Sequence, residues 1–361
     1  MLAIGLMSGT SLDGIDAALI DTDGEGAVRP VAFWGEPYTD DARAQLAEAT
    51  RIALTYDRPR VSPPLVEASD LITRTHAMVV HKLLRHAGVA AEEVGVIGFH
   101  GQTVAHRPDR GWTWQIGDGA ALAAACAITT VADFRSADVA AGGQGAPLLP
   151  IYHAALVGAL EKPVAVLNLG GVGNVTFVGE DGELVAFDTG PANGLIDDWI
   201  GEYSGARYDA DGALAASGRV DEAVLTAMLD HPYFDAPAPK SLDRSDFTIQ
   251  PARGLSPADG AATLTAFTAE TVALALHHLP ARPRRLFVVG GGRRNPTMLR
   301  MIADRCGLSA EPADPLGWNG DGVEAEGFAY MAVRTLKNLP ISFPGTTGVG
   351  AAMAGGVVHR I

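Results

Sequence analysis

Cysteine is nearly absent from this chain: 361 residues carry two, Cys126 and Cys306. That excludes a disulfide framework and a thiolate metal cluster, and each lies in an apolar helical stretch that reads as a place for a core thiol. No uninterrupted apolar run approaches the ~20 residues that a membrane-spanning helix needs. The opening "MLAIGLM" has no basic flank and too short an apolar part for a secretory signal, so the expected compartment is the cytoplasm. Lysine is scarce, and the net charge is −15 with a pI near 5.0. This excludes a general nucleic-acid surface, whose affinity comes from cations on phosphates. An anion must therefore be held locally, by backbone N–H groups and a few arginines. The familiar nucleotide signatures are missing too: there is no G-x-x-x-x-G-K-[ST] and no G-x-G-x-x-G between a strand and a helix.

What is present is an ordered globular composition, 47% hydrophobic and 19% charged, in a chain longer than one core usually serves. Three strands open it, "LAIGLM", "IDAALID" and "VRPVAFW", joined by turns rich in glycine or aspartate. In "LVEASDLITRTHAMVVHKLLRHAG", Ile72, His76, Val79, Val80, Leu83 and Leu84 recur at helical spacing and Gly88 ends the run. The strand-like "VGVIGFHGQT" then enters a glycine turn. The second half repeats the plan with "PVAVLNLGG", "NVTFVG" and "ELVAFD", a long helix in "DGAATLTAFTAETVALALHHL", and "RRLFVVGGGRRNP". There Asn295 and Pro296 stand as N-cap and first residue of another helix. Three hairpin-linked strands, helices, then a strand into glycines, twice over, predict a duplicated α/β domain with a ligand cleft between the copies. The expected boundaries are 1–134 plus about 338–361 for one domain and 135–337 for the other. The final helix "GVEAEGFAYMAVRTLKN" and the tail are expected to cross back onto the first.

The turn "GLMSGTSLDG" raises the functional question. Gly9 lets a ligand approach the main chain, Ser8, Thr10 and Ser11 supply hydroxyls, and successive N–H groups form an anion nest. Asp13 suits a hydrated Mg²⁺, which uses one or two carboxylates and keeps several waters. Serine, aspartate and glycine also dominate plain hairpin turns. The pattern returns in "NLGGVGN", with Gly170, Gly171 and Asn174, so two hairpin turns are candidates to clasp a polyphosphate. "VVGGGRRN", with Gly290, Gly291 and Gly292, is the candidate for adenine or ribose. Asp188 in "AFDTGPANGLIDDW" ends a strand where a helix should begin, and either helix capping by Asp188 or Thr189 or a chemical role accounts for it.

The strings "GLMSGTSLDGIDAAL", "GFHGQTVAHRP", "QIGDG", "DFRSADVAAGGQGAPLLP", "NLGGVGNVT", "FDTGPANGLID" and "SFPGTTGVGA" occur in order over essentially the whole chain. Together they closely resemble the anhydro-N-acetylmuramic acid kinase family, within the superfamily of acetate and sugar kinases, heat-shock chaperones and actin. The resemblance implies duplicated ribonuclease-H-like (actin-like ATPase) domains, each a mixed five-stranded sheet flanked by helices. It also implies an ATP- and Mg²⁺-dependent enzyme that opens the anhydro ring of 1,6-anhydro-N-acetylmuramic acid with water and phosphorylates its 6-oxygen. A homodimer is implied as well, without a surface for it. Carried onto this sequence, Asp188 matches the catalytic aspartate. Gly9, Thr10, Ser11, Leu12, Asp13, Gly14, Ile15, Asp16, Gly170, Gly171, Asn174, Gly290, Gly291 and Gly292 become the nucleotide candidates. His100, Gln102, Gln115, Asp118, Arg135 and Glu324 become the sugar candidates, with Glu326 a weaker one. A planar guanidinium pairs well with a carboxylate, and Arg135 is the candidate for the lactyl group of the sugar. "KSLDRSDF" matches only loosely, with Asp243 where a glycine is usual, and residues 35–64 and 230–247 receive no function. Two other readings stay open: a related kinase for a carboxylate or another sugar, or an ATP-driven clamp or filament protein on the same fold.

Overall fold

The computed structural model describes residues 1–242 and 246–361, so Asp243 lies outside the described residues. Among the described residues twelve strands follow in chain order. They are β1 (Leu2–Ser8), β2 (Gly14–Thr22), β3 (Val28–Pro37), β4 (Val94–Arg107), β5 (Trp112–Ile116), β6 (Thr130–Ala132), β7 (Val164–Leu169), β8 (Val172–Val178), β9 (Leu184–Pro191), β10 (Arg285–Val289), β11 (Ala310–Pro312) and β12 (Val357–His359). The chain forms two compact units, Met1–Gly158 with Gly322–Ile361, and Ala159–Asp321.

In the first unit the order is β12-β6-β4-β1-β2-β3, with β5 paired to β4. β1, β2 and β3 are antiparallel neighbours, whereas β4 lies parallel to β1 and β6 parallel to β4. In the second the order is β11-β10-β7-β8-β9 with the same sequence of directions. The duplication read from hairpin spacing is therefore a duplication of topology. The first sheet has seven strands rather than five. β4 overruns its partner β1 and pairs with β5, and the tail returns as β12 against β6.

The helix Pro63–Ala87 covers the first sheet with Ile72, His76, Val79, Val80, Leu83 and Leu84 buried, and Gly88 closes it in the left-handed conformation. Apolar side chains at turns three and four residues apart share one face, which is why that spacing buries a stripe. The unit boundaries lie at 158/159 and 321/322 rather than at 134/135 and 337/338, and the helix Val323–Leu336 explains the later one. A Cβ on Gly5 of β1 would sit 1.7 Å from the Ala325 carbonyl oxygen, and one on Gly98 of β4 would sit 2.0 Å from that of Phe328. Two side-chain-free positions let this helix lie directly on the strands, closer than any other residue allows. Asn295 caps the helix Pro296–Cys306 by accepting from the Met298 amide at 2.9 Å. Cys126 is buried, but Cys306, at the end of its helix, is only partly so.

Candidate active site

The first glycine turn joins β1 to β2. It is closed by the Leu12 amide on the Gly9 carbonyl (3.2 Å), with Leu12 at φ +58°. Thr10, Ser11 and Asp13 are exposed. Ser11 and Asp13 border a cavity of about 280 Å³ that Asp16 and Glu324 also line. Glu324, expected at the sugar, thus stands beside the nucleotide candidates. Gln102 is placed differently from expectation. It is fully buried: its Oε1 accepts from Ser8 Oγ at 2.5 Å, and its Nε2 donates to the Gly9 carbonyl at 3.1 Å. A further bond runs from Nε2 to the Thr103 carbonyl. With its amide spent on protein partners, Gln102 is a strut for the turn. Ser8, also fully buried, shares its hydroxyl with Tyr38 at 2.8 Å and is likewise structural.

The second turn, Gly170–Gly171 between β7 and β8, is gripped by Asn193. The Asn193 side-chain amide donates to the carbonyls of Leu169 (2.8 Å) and Gly170 (3.0 Å), and its backbone N–H donates to Gly170 as well. Sequence reading passed over Asn193, although it stands inside "FDTGPANGLID". The third turn follows β10. The Gly290 amide donates to the Gly320 carbonyl, and the Gly290 carbonyl accepts from Arg293 Nη1 at 3.0 Å. Arg293 is buried and spans Asp314 and Asp321. Buried guanidinium–carboxylate forks hold loops in fixed geometry, and this one ties Gly290–Arg294 to the 314–321 segment.

Asp188 lies on β9 beside Asn174 of β8, at a register shift that leaves Thr189 as an extra residue. A bulge of this kind re-aims side chains at sheet positions near functional sites. Asp188 does not cap the next helix: the N-cap is Ala192, with no side-chain bond, and β9 runs on to Pro191. Its carboxylate Oδ2 instead accepts from the Leu242 amide at 2.8 Å. The Asp188 amide donates to the Lys240 carbonyl at 3.0 Å, and the Tyr233 hydroxyl donates to the Asp188 carbonyl. The start of the unassigned "KSLDRSDF" stretch is therefore the clamp on Asp188. Burial raises the carboxyl to about 7, opposed by the Leu242 N–H bond. Desolvation penalises the ionised form, and an aspartate so placed gives up and takes protons near neutrality.

The remaining sugar candidates cluster in the first unit. His100, Gln115 and Asp118 line a second cavity of about 360 Å³ with Asp133 and His359. His100 is buried and both ring nitrogens are engaged: Nδ1–H donates to the Gly101 carbonyl (2.8 Å), while Nε2 accepts from Arg135 Nε (3.2 Å) and Nη2 (3.0 Å). A carbonyl partner on Nδ1 requires the proton there, which leaves Nε2 as acceptor. Burial and the Arg135 charge hold His100 well below the usual imidazole value, so it stays neutral. Asp118 is exposed and N-caps the helix Gly119–Cys126, accepting from the amides of Ala120 and Ala121. Gln115 Nε2 donates to Thr103 and Thr113. Arg135 is lowered to about 10 by burial, with Glu324 and Asp138 acting in the other direction. Its hydrogen bonds run to His100 Nε2 and to the Gly145 carbonyl. Glu326 is buried and accepts from the Tyr152 hydroxyl at 2.6 Å, a structural pairing.

Two matching α/β units with glycine turns at corresponding strand ends define the duplicated ribonuclease-H-like, actin-like ATPase class. Component A of the (R)-2-hydroxyglutaryl-CoA dehydratase of Acidaminococcus fermentans superposes with a TM-score of 0.50 at 13% identity, over 93% of this chain and 99% of that one, a likeness of fold alone. At the level of sequence, the family model for anhydro-N-acetylmuramic acid kinase matches residues 1–360. The chain is 68% identical over 361 residues to the anhydro-N-acetylmuramic acid kinase of Rhizorhabdus wittichii, covering 100% of this chain and 99% of that one. It is 53% identical over 365 residues to the kinase of that name from Zymomonas mobilis, covering 100% of both. The chain belongs to the anhydro-N-acetylmuramic acid kinase family. No helix among the described residues is long and apolar enough to cross a membrane.

Proposed function

We propose that the protein transfers the γ-phosphoryl group of ATP to the 6-oxygen of 1,6-anhydro-N-acetylmuramic acid while water opens the anhydro bridge, giving N-acetylmuramic acid 6-phosphate and ADP. The observation that carries this reading is Asp188, a carboxyl raised to about 7 by burial and held by a backbone amide on a strand bulge. An ordinary sugar kinase activates a hydroxyl that is already present. Ring opening also needs a base for water.

Asp188 takes one proton from water as the hydroxide oxygen bonds to the anomeric carbon. The bond from that carbon to the bridging 6-oxygen breaks, and its electron pair stays on the 6-oxygen. That oxygen bonds to the γ-phosphorus as the bond to the ADP oxygen breaks, and the proton on Asp188 passes to solvent. The first step is that of an inverting glycosidase, with phosphoryl transfer in place of leaving-group protonation. The turns at Gly9–Asp16 and Gly170–Asn174 offer backbone N–H groups to the phosphates, and Gly290–Gly292 offers an approach for the nucleoside. Arg135 binds the lactyl carboxylate.

The donor set at the first turn suits Mg²⁺. Asp13 and Asp16 border one cavity, and no described group of three or more His, Cys, Asp or Glu forms a metal cage. Magnesium is typically held by one or two carboxylates, phosphates and water. When bound, it neutralises phosphate charge.

The test is an ADP-release assay with the anhydro sugar, N-acetylmuramic acid and N-acetylglucosamine offered in turn. The proposal expects release that depends on the anhydro sugar. Slow ATP hydrolysis indifferent to all three would instead favour a nucleotide-driven clamp.

A further inference from the structure

The strings "DFRSADVAAGGQGAPLLP" and "SFPGTTGVGA" meet at one buried carboxylate, Asp138, which is 1% exposed. Its Oδ1 accepts from the Gly145 amide at 2.6 Å and its Oδ2 from the Thr347 hydroxyl at 2.5 Å. Thr347 is wholly buried, and its carbonyl accepts from the Gln144 amide at 2.7 Å, which fixes the two segments side by side. A Cβ on Gly143 would lie 2.2 Å from Asp138 Oδ1, so the loop closes over the carboxylate only because that residue is glycine. The chain of contacts then continues. The Gly145 carbonyl accepts from Arg135 Nη1 at 2.8 Å, and the Nε and Nη2 edge of the same guanidinium rests on His100.

A guanidinium has five N–H donors. Three are spent on these partners, leaving one on Nη1 and one on Nη2. Two fixed supports on different sides hold the plane of the group before any ligand arrives, and a carboxylate that meets a fixed fork loses less freedom on binding. None of the three acceptors is itself an anion, and the nearby Glu324 and Asp138 carboxylates favour the charged form of the guanidinium from further off. Asp138 acts one step removed, through the Gly145 peptide.

We infer that Asp138 and Thr347 are positioning residues: the Thr347–Asp138–Gly145 chain holds the carbonyl that aims Arg135 at the substrate's carboxylate. The inference rests on the reading of Arg135 given above. It assigns the "FPGTT" segment, distant in sequence from every nucleotide and sugar candidate, to recognition of the sugar.

The experiment is a mutant cycle on steady-state constants for the anhydro sugar and for ATP. It compares wild type, Thr347→Val, Thr347→Ser, Arg135→Ala and the Arg135→Ala/Thr347→Val pair. Thr347→Val removes the hydroxyl at constant shape and leaves a buried carboxylate oxygen short of a donor. It should raise KM for the sugar roughly tenfold, with kcat and the KM for ATP within about twofold. Thr347→Ser restores the hydroxyl and should behave as wild type. Against Arg135→Ala the valine should cost nothing further, since coupled residues depart from additivity. Should Thr347→Val not fold, Asp138→Asn replaces it in the same cycle. Additive effects in the pair, equal rises for sugar and ATP, or no effect of the valine would overturn the inference while leaving Arg135 in the sugar site. An Arg135→Ala variant with normal sugar KM would instead overturn the reading of Arg135, and the inference with it.

Discussion

Replacing Asp188 with Asn should abolish turnover and, at alkaline pH, make the protein more stable. The carboxyl is raised from its ordinary value of 3.8 to about 7, with burial as the leading cause. A shift of about 3 units corresponds to about 4 kcal/mol, and Asp188 is only partly buried by surface area. Solvent screening therefore brings the expected effect to about 2 kcal/mol. The sign follows from proton counts. Between about 4 and 7 the native state holds a proton that the unfolded chain has lost, so stability falls as pH rises through that window. Below it both states are protonated and nothing is lost. Asn keeps an oxygen for the Leu242 amide but cannot ionise, so the variant lacks the alkaline penalty. For a unit of this size, about 2 kcal/mol is roughly 4 to 8 °C in Tm. Melting wild type and variant from pH 4 to 8.5 should give curves that coincide at the acid end and separate by that amount above pH 7. Turnover should fall roughly 10²- to 10⁴-fold or more, the usual cost of losing a general base. Parallel Tm curves at all pH values would refute the burial argument, and an active Asn variant would refute the role.

Other outcomes follow from the same contacts. The kcat of the wild type should rise with pH along an acid limb with its midpoint near 7, since only ionised Asp188 accepts a proton; a rate flat from pH 5 to 8 would contradict this. Gln102→Ala should raise KM for ATP more than KM for the sugar, because the side chain braces the Gly9 turn; isothermal titration with a non-hydrolysable ATP analogue checks it. Gly98→Ala should destabilise the first unit by about 3 kcal/mol or more, since the added methyl meets the Phe328 backbone; a denaturant midpoint equal to wild type would deny the helix its close approach.

Much of the fold was legible because its signals are local. The hairpin strands, the helix ended by Gly88 and the Asn295 cap with Pro296 behind it each sit within a few residues of their cause. The seven-stranded sheet was not legible, because β5 and β12 are short strands recruited by partners elsewhere in the chain. The site divides in the same way. The glycine turns and Asp188 stand in recognisable strings, and the structure gives Asp188 no capping duty. What Asp188 touches comes from Tyr233, Lys240 and Leu242, in a segment without a pattern of its own. Gln102 and His100 looked like ligands because they are polar residues at a strand end. Both are buried and held by long-range partners, Ser8 for one and Arg135 for the other. No spacing rule encodes a contact across 94 or 35 positions. Asn193 was hidden because its target is backbone rather than a side chain.

The central claim, that one carboxylate delivers water to the anomeric carbon as the phosphoryl group is captured, is tested most directly by running the reaction in ¹⁸O-water. The sugar phosphate is read by mass spectrometry before its anomeric oxygen exchanges. The account predicts one heavy oxygen per product, at the anomeric carbon and none in the phosphate, and loss of that product in Asp188→Asn. Heavy oxygen in the phosphate, or a phosphorylated sugar that keeps its anhydro bridge, would contradict it.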